Sequence, residues 1–167
     1  MMGVSECSYG HINSVVAAKG AKAGGNKGKS RVWMTGDRLR ALDAVLANSV
    51  VSHCILQDDW HEQSHTHIGA TVVPTAIAVG EELGSTGKEV LMAVVIGYDM
   101  EDRAGCLSVP AFLRGFRPSA LYSYFGGAAV TGRLMKLSRE QMTNAIACAG
   151  SAAGGVLQTY NDGSMEW

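Results

Sequence analysis

The sequence lacks any apolar run approaching the ~18–20 residues of a membrane-spanning helix. Its first ten residues contain Glu6 and no basic stretch, which is unlike a secretory signal, so we expect a cytoplasmic protein with no membrane contact. Charged residues make up only 17 %, and the net charge is −1. Nothing in that balance attracts the chain to nucleic acid or to anionic lipid.

Cysteine and proline are also scarce. The four cysteines are far apart and form no Cys-x-x-Cys pair. We predict buried free thiols in a reducing compartment, with a disulfide framework as the lesser alternative. Only 3 prolines stand against 21 glycines, and 47 % of the residues are hydrophobic. For 167 residues this composition favours one domain of closely packed helices.

Apolar residues recur at three- and four-residue steps along most of the chain. Two capping boxes, Thr86 with Glu89 and Ser138 with Gln141, predict helix starts, and the apolar helix after the first box is expected to be central. The predicted helical segments are 37–56, 71–83 with Pro74 in the first turn, 90–96 continuing towards 103, 118–134 and 139–153. With five or six helices and almost no strand pattern, the fold class is all-α, a helical bundle.

The first 36 residues read as a separate N-terminal segment. Residues 19–30 are rich in Gly, Lys and Asn and predict an exposed basic loop. Part of this loop, residues 23–30, loosely fits a phosphate-binding loop. The strand before it and the helix after it that such a loop needs are not apparent, so a flexible basic loop is the preferred interpretation.

The most polar stretch lies between two predicted helices. Residues 58–67 hold two aspartates and three of the five histidines. His61, His65 and His67 could ligate zinc, although no strong zinc motif is present. The alternative is acid–base chemistry, in which an aspartate orients an imidazole. We favour a functional role for His67 and a surface-loop position for His61 and His65.

A second polar turn precedes the helix that begins at Pro118. Arg117 stands at the entry to that helix, with Ser119 just inside it. A guanidinium beside the positive end of a helix dipole suits a carboxylate or a phosphate. The alternative, that Arg117 is a surface arginine in a turn, is equally favoured.

Several stretches together resemble the MmgE/PrpD family, which includes 2-methylcitrate dehydratase, cis-aconitate decarboxylase and iminodisuccinate epimerase. The order and spacing hold from about residue 20 to the end, and no single piece is specific. The matching pieces are residues 42–48, His53, Asp58 and Asp59 with His61, His67 with 69–70, Pro74, 81–82, 97–99, Arg103, 115–116 with Pro118, 126–129, Leu134, Leu137 and 162–164.

The resemblance implies a helical domain, a smaller α/β lid domain and a homodimer. Residues 37–167 would be the middle of the helical domain, and we expect the first helices and the lid to be absent. It also implies metal-independent chemistry on polycarboxylates, without a cofactor. His67 matches the histidine that follows the family's Asp-Asp motif, and Asp58 and Asp59 match the motif itself. These three are the expected catalytic residues.

Some family positions differ. Leu56 and Trp60 replace an aspartate and a threonine around the Asp-Asp pair, Arg117 replaces a histidine, and Trp167 falls where a lysine is expected. We therefore expect Arg117, with His61 and Ser119, to bind the substrate's carboxylates.

The function predicted from the sequence is that of a lyase or isomerase fragment acting on small polycarboxylates such as 2-methylcitrate or cis-aconitate. Alone, it is expected to be weakly active or inactive unless a partner chain completes it. Two alternatives remain: a non-catalytic helical module that dimerises or binds a partner, and a metal-binding protein built on the histidine cluster.

Overall fold

The computed structural model describes residues 2–24, 26–107 and 110–158. Within these ranges the chain is all-α, as predicted, apart from one small antiparallel hairpin. No helix in the described ranges is long and apolar enough to cross a membrane. The elements are α1 (Met2–Ser8), α2 (Ile12–Gly24), β1 (Lys27–Arg31), β2 (Arg38–Leu39), α3 (Ala41–His53), α4 (Gly69–Leu83), α5 (Gly87–Cys106), α6 (Pro110–Leu113), α7 (Pro118–Leu134) and α8 (Arg139–Ala152).

The local signals for helix ends are confirmed. Both capping boxes form, with Thr86 and Ser138 each accepting the backbone N–H three residues on. Helix α4 ends at Gly84 in a left-handed conformation, and Pro118 opens α7. Each signal satisfies backbone groups that a helix end would otherwise leave unpaired.

Two small cores hold the helices together. The first joins α2 and the hairpin to α3 and α4. The second joins α4, α5 and α7, mostly through valine and alanine. Small side chains let these helices approach closely, so the helix ends that carry polar side chains are fixed relative to one another.

The prediction of an exposed loop at residues 19–30 is wrong about the loop, although most of the described residues in this stretch are exposed. Residues 19–24 complete α2, and residues 27–30 form most of β1. The strand is held against α4, because the backbone N–H of Arg31 donates to Glu81 at 2.7 Å and the Ser30 hydroxyl donates to the Ala78 carbonyl at 2.6 Å. Sequence composition could not show these distant partners.

The expectation that α5 is central is also wrong for one face. Leu91 and Val95 are 69 % and 62 % exposed, whereas Ala93 and Gly97 face the core. No described residue covers the outer face of α5 at those two positions.

The four cysteines are free, as predicted, but only Cys54 is buried. Cys7, Cys106 and Cys148 lie on outward-facing positions of α1, α5 and α8.

Candidate functional site

A cleft of about 900 Å³ runs between α3, α4 and α7. Three helix ends meet at one end of it: the C-terminus of α3 and the N-termini of α4 and α7. These ends supply four of the cleft's polar side chains, those of His53, His67, Arg117 and Ser119. The rest of the wall is largely apolar, with Leu42, Val45, Leu46, Ala70, Val79, Ala120 and Ala128 among its residues.

Asp58 connects the two histidines of the cleft. Its side chain is fully buried, with Oδ2 at 2.7 Å from His53 Nδ1 and 3.4 Å from His67 Nδ1. Burial acts to raise the pKa of Asp58, but the hydrogen bond from His53 and the nearby His67 imidazole outweigh it and lower the pKa to about 2. Asp58 is therefore an anion at neutral pH, beside two imidazole rings.

Arg117 extends this chain of contacts. Its Nη2 lies 2.7 Å from His53 Nε2. A guanidinium only donates hydrogen bonds, so His53 Nε2 must accept. His53 is then neutral, with its proton on Nδ1 donated to Asp58. In the sequence, His53 stands out only as a helix-periodic and family-matching position. The only sequence signal of its contact with Asp58 is that the two residues are five positions apart, on either side of a helix end.

The remaining predicted residues of this end, His67 and Ser119, contact each other, and His67 also contacts His53. The backbone N–H of His67 donates to Ser119 Oγ at 3.1 Å, which ties the start of α4 to the start of α7. The His67 ring is 4.6 Å from that of His53, measured between centroids. The structure thus brings His67, Asp58, Arg117 and Ser119 together, with His53 as the link.

Asp59 points away from the cleft, into the contact between α4 and α5. Both of its carboxylate oxygens lie 3.1 Å from the Gly69 backbone N–H, and Tyr98 donates its hydroxyl at 3.0 Å. A Cβ on residue 69 would lie 2.3 Å from Asp59 Oδ1, so only glycine admits the carboxylate here. Asp59, expected to be catalytic, is placed where it anchors the first turn of α4.

Glu101 lies behind Asp59 and was not singled out from the sequence. It is fully buried, and its Oε1 accepts a hydrogen bond from Ser123 at 3.1 Å. Burial raises its pKa to about 8, and the Asp59 charge adds to the rise. Burial likewise raises the pKa of Tyr98, as does its proximity to Asp59. Glu101 is accordingly protonated at neutral pH.

The structure does not bring His61 to the cleft. Its Nδ1 lies 2.9 Å from Asp102 and 2.8 Å from the Ser64 hydroxyl. His65 instead stacks on Trp60, with ring centroids 5.8 Å apart.

The metal site predicted from His61, His65 and His67 is therefore wrong, because, among the described residues, these three histidines do not bring their ligand atoms within 4.8 Å of one another. Two other groups in the described part of the chain have ligand atoms within 4.8 Å of one another: His53 with Asp58 and His67, and His61 with Asp102 and Cys106.

The model of the MmgE/PrpD N-terminal domain matches residues 2–167. The chain belongs to the MmgE/PrpD family.

Known relatives of this MmgE/PrpD chain include three named cis-aconitate decarboxylase. The Aspergillus terreus protein is 27 % identical over 83 % of the chain, the human protein 29 % over 83 %, and the mouse protein 31 % over 75 %. The chain spans about 30 % of the length of the fungal and human proteins, and 27 % of the mouse protein.

The family match does not by itself explain the polar end of the cleft. Arg117, which stands where the family pattern noted above has a histidine, is only 6 % exposed and contacts His53. The replacement of histidine by arginine therefore lies inside the site, where it adds a permanent positive charge.

Proposed function

We propose that this chain forms the helical part of a lyase or isomerase that acts on a small polycarboxylate, such as cis-aconitate or 2-methylcitrate, through metal-independent proton transfer. The observation that supports this most is the linked set Arg117–His53–Asp58–His67 at the end of the cleft. It combines a fixed cation with a histidine that has a carboxylate behind it. These are the groups needed to hold an anion and move a proton.

Each residue has a distinct role in this proposal. Arg117 binds a substrate carboxylate, since its planar fork suits that group. His67 transfers the proton through Nε2, because its Nδ1 lies towards Asp58. Asp58 stabilises the imidazolium that forms when His67 accepts a proton. His53 positions Arg117 and remains neutral.

Two predicted residues take indirect roles. Ser119 holds the His67 backbone rather than the substrate. Asp59 fixes the turn that carries His67 into α4 through its bonds to Gly69.

Turnover by these residues alone should be slow. Leu42 and Leu46 on the cleft wall are 76 % and 62 % exposed, so water reaches the cleft freely. Electrostatic stabilisation of a transition state is strongest where water is excluded. Binding is therefore a more direct test than rate.

Arg117→Gln should weaken cis-aconitate binding by about tenfold or more, since a charge-assisted carboxylate contact contributes roughly 1.5–3 kcal/mol. The measurement is isothermal titration calorimetry on the purified chain, with circular dichroism to confirm folding. Arg114→Gln is the matched control, because Arg114 is exposed and lies outside the cleft. Arg117→Lys keeps the charge without the fork and should be intermediate.

Equal affinity in the wild type and Arg117→Gln would reject the role of Arg117. No binding by the wild type at millimolar cis-aconitate would reject the proposed function for this chain.

A second function is favoured by the exposed apolar faces. Leu42 and Leu46 on α3, and Leu91 and Val95 on α5, form surface of the kind that marks protein contacts. A helical module that pairs with itself or with a complementing chain would cover it. Sedimentation velocity distinguishes a monomer from a self-paired chain. A monomer at high concentration would argue against self-pairing.

A further inference from the structure

A second cluster of metal-ligating side chains lies outside the cleft, at the C-terminal end of α5. His61 Nδ1 is 2.9 Å from Asp102 Oδ1, and the Cys106 thiol is 3.3 Å from the same oxygen. All three ligand atoms lie within 4.8 Å of one another. Asp102 and Cys106 are one helical turn apart, so the same face of α5 presents both.

His61, the third residue of the cluster, is held in place by a close contact between its loop and α5. A Cβ added at Gly105 would lie 2.5 Å from Ser64 Cβ, so the glycine allows the 61–66 loop to rest directly on the helix. Ser64 and Thr66 are buried and hydrogen-bonded to each other at 2.7 Å, and the His61 N–H donates to the Thr66 carbonyl at 2.9 Å. The loop conformation that presents His61 is thus fixed by its own hydrogen bonds.

We propose that His61, Asp102 and Cys106 form a site for zinc or a similar transition-metal ion. Imidazole, carboxylate and thiolate are the three side-chain groups that bind zinc, with metal–ligand bonds of about 2.0–2.3 Å. Tetrahedral coordination at those lengths puts ligand atoms about 3.3–3.7 Å apart. The 2.9 and 3.3 Å separations need only small side-chain rotations to reach it.

The surroundings of the cluster suit a bound cation. His61 and Asp102 are about one-third exposed and Cys106 is exposed, so an ion can enter and a water can complete the coordination. Arg103, the nearest cation in sequence, is paired with Asp99 at 2.9 Å. Binding would release the Cys106 proton to solvent and replace the contact of His61 Nδ1 with Ser64.

Such an ion would join the loop that follows Asp58 and Asp59 to the end of α5. Its role would be structural, since the described cleft residues do not include any of the three ligands. The proposal does not depend on the function proposed for the cleft.

Cobalt(II) alone is the probe that separates this site from the other candidate group. Only a thiolate gives cobalt a strong near-ultraviolet charge-transfer band, and the group of His53, Asp58 and His67 contains no cysteine. Titrating the full chain should produce that band with one equivalent of metal. Cys106→Ser should abolish the band. His61→Ala should weaken binding by about tenfold or more, since losing even an outer-shell partner costs about 10- to 100-fold.

Cys148→Ser and Cys7→Ser are the matched controls, because both thiols are exposed on other helices. Both variants should keep the band, and zinc should raise the Tm of the wild type but not that of Cys106→Ser. Absence of the band would overturn the proposal. So would a band that survives Cys106→Ser, or one that His61→Ala leaves unchanged. Circular dichroism on each variant confirms folding, which these partly exposed positions should permit.

Discussion

Glu101→Gln should remove a large pH dependence from the stability of the domain. The folded-state pKa of Glu101 is raised to about 8, against an ordinary value of 4.5. Between those two values the folded state keeps a proton that the unfolded state has lost. The free energy of unfolding must therefore fall as pH rises from about 4.5 to 8, and level off above it.

Over this pH range, ionisation of Glu101 should lower the free energy of unfolding by roughly 2–5 kcal/mol. The upper bound takes 1.36 kcal/mol for each pH unit. Glutamine keeps an acceptor for Ser123 and carries no charge, so the variant should be the more stable protein above pH 8. Urea unfolding at pH 5, 7 and 9 measures the slope. The exposed Glu62→Gln is the control, and identical slopes for wild type and Glu101→Gln would contradict the assignment.

Asp59→Ala should lower the free energy of unfolding by about 3–6 kcal/mol. The substitution removes the acceptor for the Gly69 N–H and the Tyr98 hydroxyl, and bonds to a charged acceptor are worth roughly 1.5–3 kcal/mol each. For a domain of this size the Tm should fall by about 6–24 °C. Part of the loss should be recovered above pH 7, where removing the Asp59 charge eases ionisation of Glu101.

Two companion variants show which bond matters. Tyr98→Phe removes only the hydroxyl contact with the charged carboxylate and should cost about 1.5–3 kcal/mol. Asp59→Asn retains one acceptor, so its loss of stability should fall between those of Tyr98→Phe and Asp59→Ala. If Asp59→Ala changes stability by less than about 0.5 kcal/mol, the size of an ordinary surface substitution, then Asp59 does not anchor α4.

Helices α3, α4, α5, α7 and α8 could be predicted because their signals are local. Capping residues, Pro118 and the apolar period act within a few residues, so they define helix starts without knowledge of tertiary partners. The hairpin could not be predicted, since β1 depends on Glu81 and Ala78, about 50 residues away. The exposed face of α5 has the same explanation: an apolar pattern shows what can be buried, but not what covers it.

The site was predictable in part. The polar residues at 58–67 and at Arg117 drew attention to two segments that the structure brings together. These segments lead into α4 and α7, whose first turns are joined by the bond from His67 to Ser119. The sequence could not show that Asp58 and Asp59, adjacent in the chain, face opposite directions. Nor could it show that His61 turns to Asp102 on α5 while His53 enters the cleft.

The central claim is that the end of the cleft with His67 and Arg117 binds a polycarboxylate. Imidazole ¹⁵N NMR of the labelled chain, with the five histidines assigned through single His→Gln variants, tests it directly. We predict that cis-aconitate shifts the His67 nitrogens, that His53 keeps the neutral Nδ1–H pattern, and that His11, His61 and His65 stay unchanged. A titration in which His67 does not respond, or in which only His61 and His65 do, would contradict the account.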